Sequence, residues 1–289
     1  FGVLGNSSDE VKKFAAGHPE FDFTLCSDPQ LKSLDAVTGG KTNAFSRASI
    51  LNAAGKLLWS GDPVDLAMML RRIYGREYSE RDEIRMSVLN DHLQAALRSG
   101  DPGMIEQAAD RILAVRPEQI SALNAKAFAL ENARNYPALG EFLKRRIERY
   151  PTQPEAYFML LDLSCRVAQL QDALPAAAAG YYRQFGEDFS GVNAVVWNLL
   201  TNAPFRAEAL KLAAEGMKRL DALAAKSPPP ETLRSRYLAT QALYAYRLGD
   251  VKRAVVLAEE SVKAAPNAAE KQFLEGLLDY YRTAQSLGR

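Results

Sequence analysis

Two cysteines, Cys26 and Cys165, and two histidines, His18 and His92, are the side chains of this 289-residue chain best suited to redox, nucleophilic or metal chemistry. Their spacing gives that chemistry nothing to build on. Thiol exchange needs a sulfur activated at a helix N-terminus and a second one to resolve the mixed disulfide, and structural zinc needs paired ligands at short intervals. No Cys-x-x-Cys and no zinc-type Cys/His pairing occurs. A Gly-rich phosphate loop, a nucleophile elbow and a clustered carboxylate–histidine set are absent too, which removes the usual starting points for a hydrolase or transferase. No catalytic residue, cofactor or metal ligand is therefore assigned. What recurs is binding chemistry. Amides, aromatics and charges of both signs return in groups: Asn90 and Gln94 with Arg98; Asn124, Phe128 and Asn132 with Glu131; Phe158, Asp162 and Arg166; Asn198 with Asn202; Tyr246 with Arg247. An amide both donates and accepts, so it matches a peptide backbone, and an exposed phenyl ring offers an apolar anchor. The same groups would equally serve as an ordinary solvated helix face.

The elements that must position these groups repeat every 34 residues. Gly100-Asp101 is followed by Ile105, Ala109, Ile112 and Pro117; Asn135-Tyr136 by Leu139, Leu143 and Pro151; Gly249-Asp250-Val251 by Ala254, Ala258 and Pro266. Pro117 to Pro151 is one full period. Small residues at fixed offsets let paired helices approach, and the closing proline cannot continue a helix. Two poorer units fit the same frame. Glu155 to Phe185 carries Leu161, Ala173, Ala177 and Gly180, with Pro175 predicting a kink or a late helix start. Val192 to Leu223 carries Trp197, Leu200, Ala209 and Ala213. Ser227-Pro228-Pro229-Pro230 then interrupts as a stiff loop. Ala268 to Ser286, with Phe273, Leu274, Leu277, Leu278 and Tyr281 on one stripe, reads as a terminal capping helix.

This period and its markers resemble the tetratricopeptide (TPR) family. The resemblance implies that residues 79–289 form an α-α solenoid whose first helices line a concave face, with the groups above as its binding residues for a peptide or protein partner. It does not extend to the lysine-and-asparagine clamp by which some such proteins grip a C-terminal carboxylate.

Composition narrows the partner. Lys+Arg of 36 against Asp+Glu of 35 argues against nucleic acid as the main ligand. The densest basic run, Lys144-Arg145-Arg146 with Arg149, falls on an outer helix and reads as a solvated face. No apolar run approaches the ~18 residues that cross a bilayer, so no integral membrane segment is expected in this chain.

Before residue 79 short apolar runs alternate with turn signals. Phe1 to Gly5 and Phe21 to Leu25 read as strands. Ser7 with Glu10 opens a helix that Gly17 closes, and Asp28-Pro29 opens another that ends at Gly39-Gly40. Ala48 to Leu51 and Lys56 to Trp59 form a hairpin around Asn52-Ala53-Ala54-Gly55, and Val64 to Tyr74 is an amphipathic helix stopped by Gly75. The order predicts an α/β layer in front of a mainly α chain.

Within this layer, Gly5-Asn6-Ser7-Ser8-Asp9-Glu10-Val11, Phe21-Asp22-Phe23 before Asp28, and Leu51-Asn52-x-x-Gly55-Lys56-x-x-Trp59-x-Gly61-x-Pro63 resemble the second half of TlpA-like thioredoxin-fold proteins, the redoxins. The resemblance implies that residues 1–78 are a partial thioredoxin-like domain, N-terminally truncated, without the first strand and the active-site helix that carries Cys-x-x-Cys. It also places Ser46 where the family has a cis-proline that docks a substrate thiol. Two readings follow. One is a protein-interaction module with a redox-inactive or truncated thioredoxin-like domain. The alternative is a thiol–disulfide oxidoreductase whose cysteines lie upstream of residue 1. Visible residues favour the first. By resemblance alone, such bacterial domains work in the periplasm or elsewhere outside the cytoplasm.

Overall fold

A computed structural model describes residues 2–4, 8–10, 12, 25–27, 48–203 and 207–288, and the chain is mainly helical. The expected 28–39 helix, His18 and Ser46 lie outside the described residues, as does most of the strand expected at 21–25 and of the helix expected from Ser7. Ser8, Asp9, Glu10 and Lys12 are helical. The chain forms two compact units, residues 1–129 and 130–289.

The first unit holds two separate two-stranded sheets among the described residues. β1 (Gly2–Leu4) pairs in parallel with β2 (Leu25–Ser27), and β3 (Ala48–Leu51) pairs antiparallel with β4 (Leu57–Gly61). The hairpin turn is made by Asn52, whose Oδ1 accepts the amides of Ala54 (3.0 Å) and Lys56 (2.9 Å), while Gly55 takes φ 76°. That angle is open to glycine and costly for a residue with a Cβ. Strand β4 runs two residues further than the expected Lys56–Trp59, and a bulge separates Ile50 from Leu51.

Helix α1 (Leu66–Tyr74) begins later than the expected Val64. Asp62 caps a 3-10 turn at Pro63–Asp65 by accepting the Val64 amide, so that turn precedes the α-helical ladder. The apolar face of α1 is buried through Met68 and Met69, which pack with Trp59.

Helix α2 (Glu80–Ser99) is capped by Ser79, has Glu80, Asp82 and Glu83 in its first turn, and ends on Gly100 at φ 70°. Each such cap contributes about 1 kcal/mol. Asp101 caps α3 (Pro102–Val115), and α4 (Ile120–Asn132) follows. Met86, Leu93 and Ala96 of α2 interlock with Ile105, Ala109 and Ile112 of α3 and with Ala122, Ala125 and Ala129 of α4.

The residue 78/79 junction expected from composition lies inside this unit. Buried Asp65 accepts the Ser121 amide (3.1 Å) and hydroxyl (2.5 Å) at the start of α4. Arg116 pairs with Glu83, and Arg72 of α1 reaches Glu118 at 3.3 Å. These side-chain bonds tie the 63–78 stretch to the helices that follow.

In the second unit, α5 (Tyr136–Arg149) is capped by Asn135 and followed by α6 (Pro154–Arg166). A 3-10 segment (Ala168–Ala173) leads into α7 (Leu174–Phe185), so Pro175 sits in the first turn and produces the late start anticipated for it. Next come α8 (Phe189–Asn202), α9 (Ala207–Lys226), α10 (Glu231–Arg247), α11 (Val251–Lys263) and α12 (Ala268–Ser286). Helix α8 packs beside α6 and α10 in one layer, and α7 packs on α9 in the other. Glycines permit the closest approaches: a Cβ on Gly216 would lie 2.3 Å from Val196 Cγ2 and 2.4 Å from the Tyr182 hydroxyl. On α12, Leu274, Leu278 and Tyr281 are buried, but Phe273 is not part of that buried stripe. It stands 56% exposed on the flank.

Candidate functional site

Five of the expected groove residues meet in one polar ladder of the second unit. Arg166 Nε donates to Asp162 Oδ2 (2.7 Å), one helical turn away on α6, and Arg166 Nη2 donates to Glu131 Oε1 (2.8 Å) near the end of α4. The other oxygen of Asp162 accepts the amide nitrogens of Asn198 (3.1 Å) and Asn202 (3.0 Å) from α8. One carboxylate therefore receives three hydrogen bonds, and the ladder joins α4, α6 and α8. Asp162 and Asn198 are half-buried, while Arg166 and Asn202 are exposed. Hydrogen bonds to Glu131 and then Asp162 push the Arg166 guanidinium above its already high range, so it stays charged at every accessible pH.

Phe158 lies one turn before Asp162. Its ring packs on Tyr181 at 4.9 Å and is half-buried, which makes it partly core. Tyr246 is half-buried as well, with its hydroxyl 2.9 Å from that of Tyr280 on α12. Arg247 turns its guanidinium toward the Leu200 carbonyl of α8 at 2.6 Å. Asn132 is exposed at the end of α4.

The expected residues on the first unit fare differently. Asn90 is half-buried and accepts from Gln119 Nε2 at 3.0 Å, so its carbonyl is engaged within the unit. Gln94, Asn124 and Phe128 are exposed, Phe128 at 47%. Exposure on that scale leaves nearly half of the side chain in water, where it costs solvation free energy unless covered.

No group of three or more His, Cys, Asp or Glu side chains is placed to hold a metal ion among the described residues. Cys165 is buried in α6 and His92 is exposed on α2. No helix of the described residues is long and apolar enough to cross a membrane.

Two aromatic pairs were not anticipated. Trp197 of α8 faces Phe273 of α12 with ring centroids 6.3 Å apart, and Tyr246 of α10 faces Tyr280 of α12 at 5.3 Å. Spacing along single helices does not reveal such pairs, although Tyr246 and Tyr280 stand one repeat period apart.

No protein-family model matches the chain, and a search of curated proteins finds no match to it.

Proposed function

We propose that residues 79–289 act as a TPR-type solenoid that binds an extended peptide or protein segment along its first helices. In this reading the partial thioredoxin-like domain of residues 1–78 is a redox-inactive second contact surface. The observation that carries the reading is the Asp162 ladder. It fixes the rotamers of Arg166, Asn198 and Asn202 on a half-exposed face, so little side-chain entropy remains to be lost when a partner arrives. Ladders of polar side chains inside a core would be hidden from water; this one is at the surface. The parallel β1–β2 pair, the β3–β4 hairpin and the helix after it are compatible with the domain reading, and the 34-residue period supports the solenoid.

The test is capture of a partner on immobilised protein, followed by affinity measurements on three variants. Phe128→Ala and Asp162→Ala should each weaken binding about thirtyfold, the scale of hot-spot truncation. Arg145→Ala, on the outer helix α5, should leave it unchanged. Weakening by the outer variant alone would move the interaction to another surface.

A further inference from the structure

The described residues of the first unit hold two apolar cores rather than one. Trp59, Met68 and Met69 close a small core between the β3–β4 hairpin and α1, and it does not merge with the core that α2, α3 and α4 share. The side-chain ties seen between the two parts are polar. Asp65 accepts from Ser121, Arg72 pairs with Glu118, and Lys56 reaches Glu80 at 2.8 Å. Arg116, only 3% exposed, joins both sides, with Nη1 3.4 Å from the Met69 sulfur and Nη2 on Glu83. The seam also carries two unsatisfied atoms. Arg72 Nε and Gln119 Oε1 are buried and have no hydrogen-bond partner among the described residues. Such atoms cost free energy while dry and recover it in water. A third cost sits in the turn after α1. Arg76 takes φ 61° there, a left-handed angle that strains a residue with a Cβ.

We infer that residues 48–78 form a strap that opens from α2, α3 and α4 as one piece while those helices stay folded, pivoting at the junction of Tyr78 and Ser79. Tyr78 belongs to the strap, since its hydroxyl donates to the Leu58 carbonyl at 2.8 Å, whereas Ser79 caps α2. Opening gives water to the two unsatisfied atoms and, as the end of α1 unravels, releases the strained angle of Arg76. Against this stand the Asp65–Ser121 bonds and the Arg116–Glu83 pair, which decide how seldom the strap leaves. Its own core is too small to hold it afterwards. A hairpin and a nine-residue helix around three buried apolar side chains do not stay folded alone. Opening is therefore a local unfolding, reached at a lower free energy than global unfolding, and it uncovers the Ser121 amide and hydroxyl at the head of α4.

Hydrogen exchange on the full chain under native conditions, resolved by peptide mass spectrometry, tests the strap. Amides of β3, β4 and α1 should exchange as a group, at least about tenfold faster than those of α3 once intrinsic rates are divided out. Ser121→Ala removes the hydroxyl bond to the Asp65 carboxylate and should speed the strap about tenfold further. Exchange in α3 should keep its wild-type rate in that variant, which also shows that the helices remain folded. Arg76→Gly relaxes the turn in the closed form and should slow the strap by about threefold. Exchange at one common rate in the strap and α3, or equal acceleration of both by Ser121→Ala, would mean that the first unit opens as a single body and overturns the proposal. A strap that ignores Ser121→Ala, or that Arg76→Gly does not slow, overturns it as well, because the seam and the turn would then not govern its opening.

Discussion

The hydroxyl oxygens of Tyr246 and Tyr280 are 2.9 Å apart, and the two residues are 34 positions apart in the chain. Intervals close to it return in other contacts between helices. Glu131 meets Arg166 and Ser235 meets Glu270 at separations of 35, and Asp162 meets Asn198 at 36. Residues spaced by about the sequence period thus meet between α4 and α6, α6 and α8, and α10 and α12. Between α8 and α10 the interval lengthens. Phe189 packs on Tyr237, 48 positions on, and Arg247 bonds Leu200, 47 positions back. The twenty residues of α9 and the Ser227–Pro230 loop take up the difference.

Coupling across the ladder should be measurable. In a double-mutant cycle on Asp162→Ala and Asn198→Ala, the interaction free energy should be roughly 0.5–1.5 kcal/mol in urea unfolding. Partial exposure of the pair keeps it at the low end of that range. A cycle that closes to zero would mean that the two side chains do not share a bond in solution.

Two glycines should respond in opposite directions. Gly216→Ala drives a methyl group into Val196 and Tyr182 and should destabilise the protein by about 1–3 kcal/mol. Gly276→Ala meets nothing and should stabilise it by up to about 1 kcal/mol through helix propensity. Thermal melts of the two variants beside the wild type decide the matter; the same sign for both would contradict the packing described.

Asp65 should give stability a pH dependence opposite to that of most carboxylates. Burial raises its carboxyl above the ordinary aspartate value, outweighing the lowering influence of hydrogen bonds from Ser121 and the Ile120 backbone. The folded state therefore binds this proton more tightly than the unfolded state. Its stabilising contribution is complete below the unfolded value and is lost as pH rises through the raised folded value. Asp65→Asn removes that dependence at the cost of a constant offset, because the amide offers Ser121 only one acceptor. Over the pH range that starts at the ordinary aspartate value of about 4 and extends upward, the unfolding free energy of Asp65→Asn should rise relative to the wild type. Urea titrations at intervals across that range read the slope directly, and a flat difference would place the carboxyl in a solvated setting.

Insulin reduction by this chain should not exceed that of a variant with Cys26 and Cys165 both changed to serine. The chain has no Cys-x-x-Cys, and a buried Cys165 is out of reach of a protein disulfide. Turnover clearly above the cysteine-free variant would reopen the oxidoreductase reading.

Local chemistry made much of the fold legible. Asn52 and Gly55 announced the hairpin, Val64 to Tyr74 announced a helix stopped at Gly75, and the apolar stripe of α12 gave both of its ends, because such signals act close to the residues that carry them. Phe273 escaped because a stripe is wider than the face it buries, and only a neighbour decides which edge is covered. Asp65 escaped for a stronger reason. Its partner is 56 positions away, and an aspartate after Pro63-Val64 looks like any helix-start residue until Ser121 is placed beside it. For the candidate site, the spacing named Asp162, Arg166, Asn198 and Asn202 as separate residues. It could not show that Asp162 would gather Arg166, Asn198 and Asn202, since that depends on how far apart successive helices settle.

The Asp65–Ser121 bond also sets an order of events at the ribosome. Synthesis is vectorial, and N-terminal parts emerge first. Asp65 leaves the exit tunnel well before Ser121 exists, and until then its carboxylate has only water to satisfy it. Without α4 the carboxylate has no Ser121 amide or hydroxyl to accept from, so its buried setting cannot yet form without cost. The stretch made early is thus finished late. Its completion waits on the amide and hydroxyl of a serine at the head of α4, and a ribosome stalled between the two positions would display a hairpin and helix without their final seat.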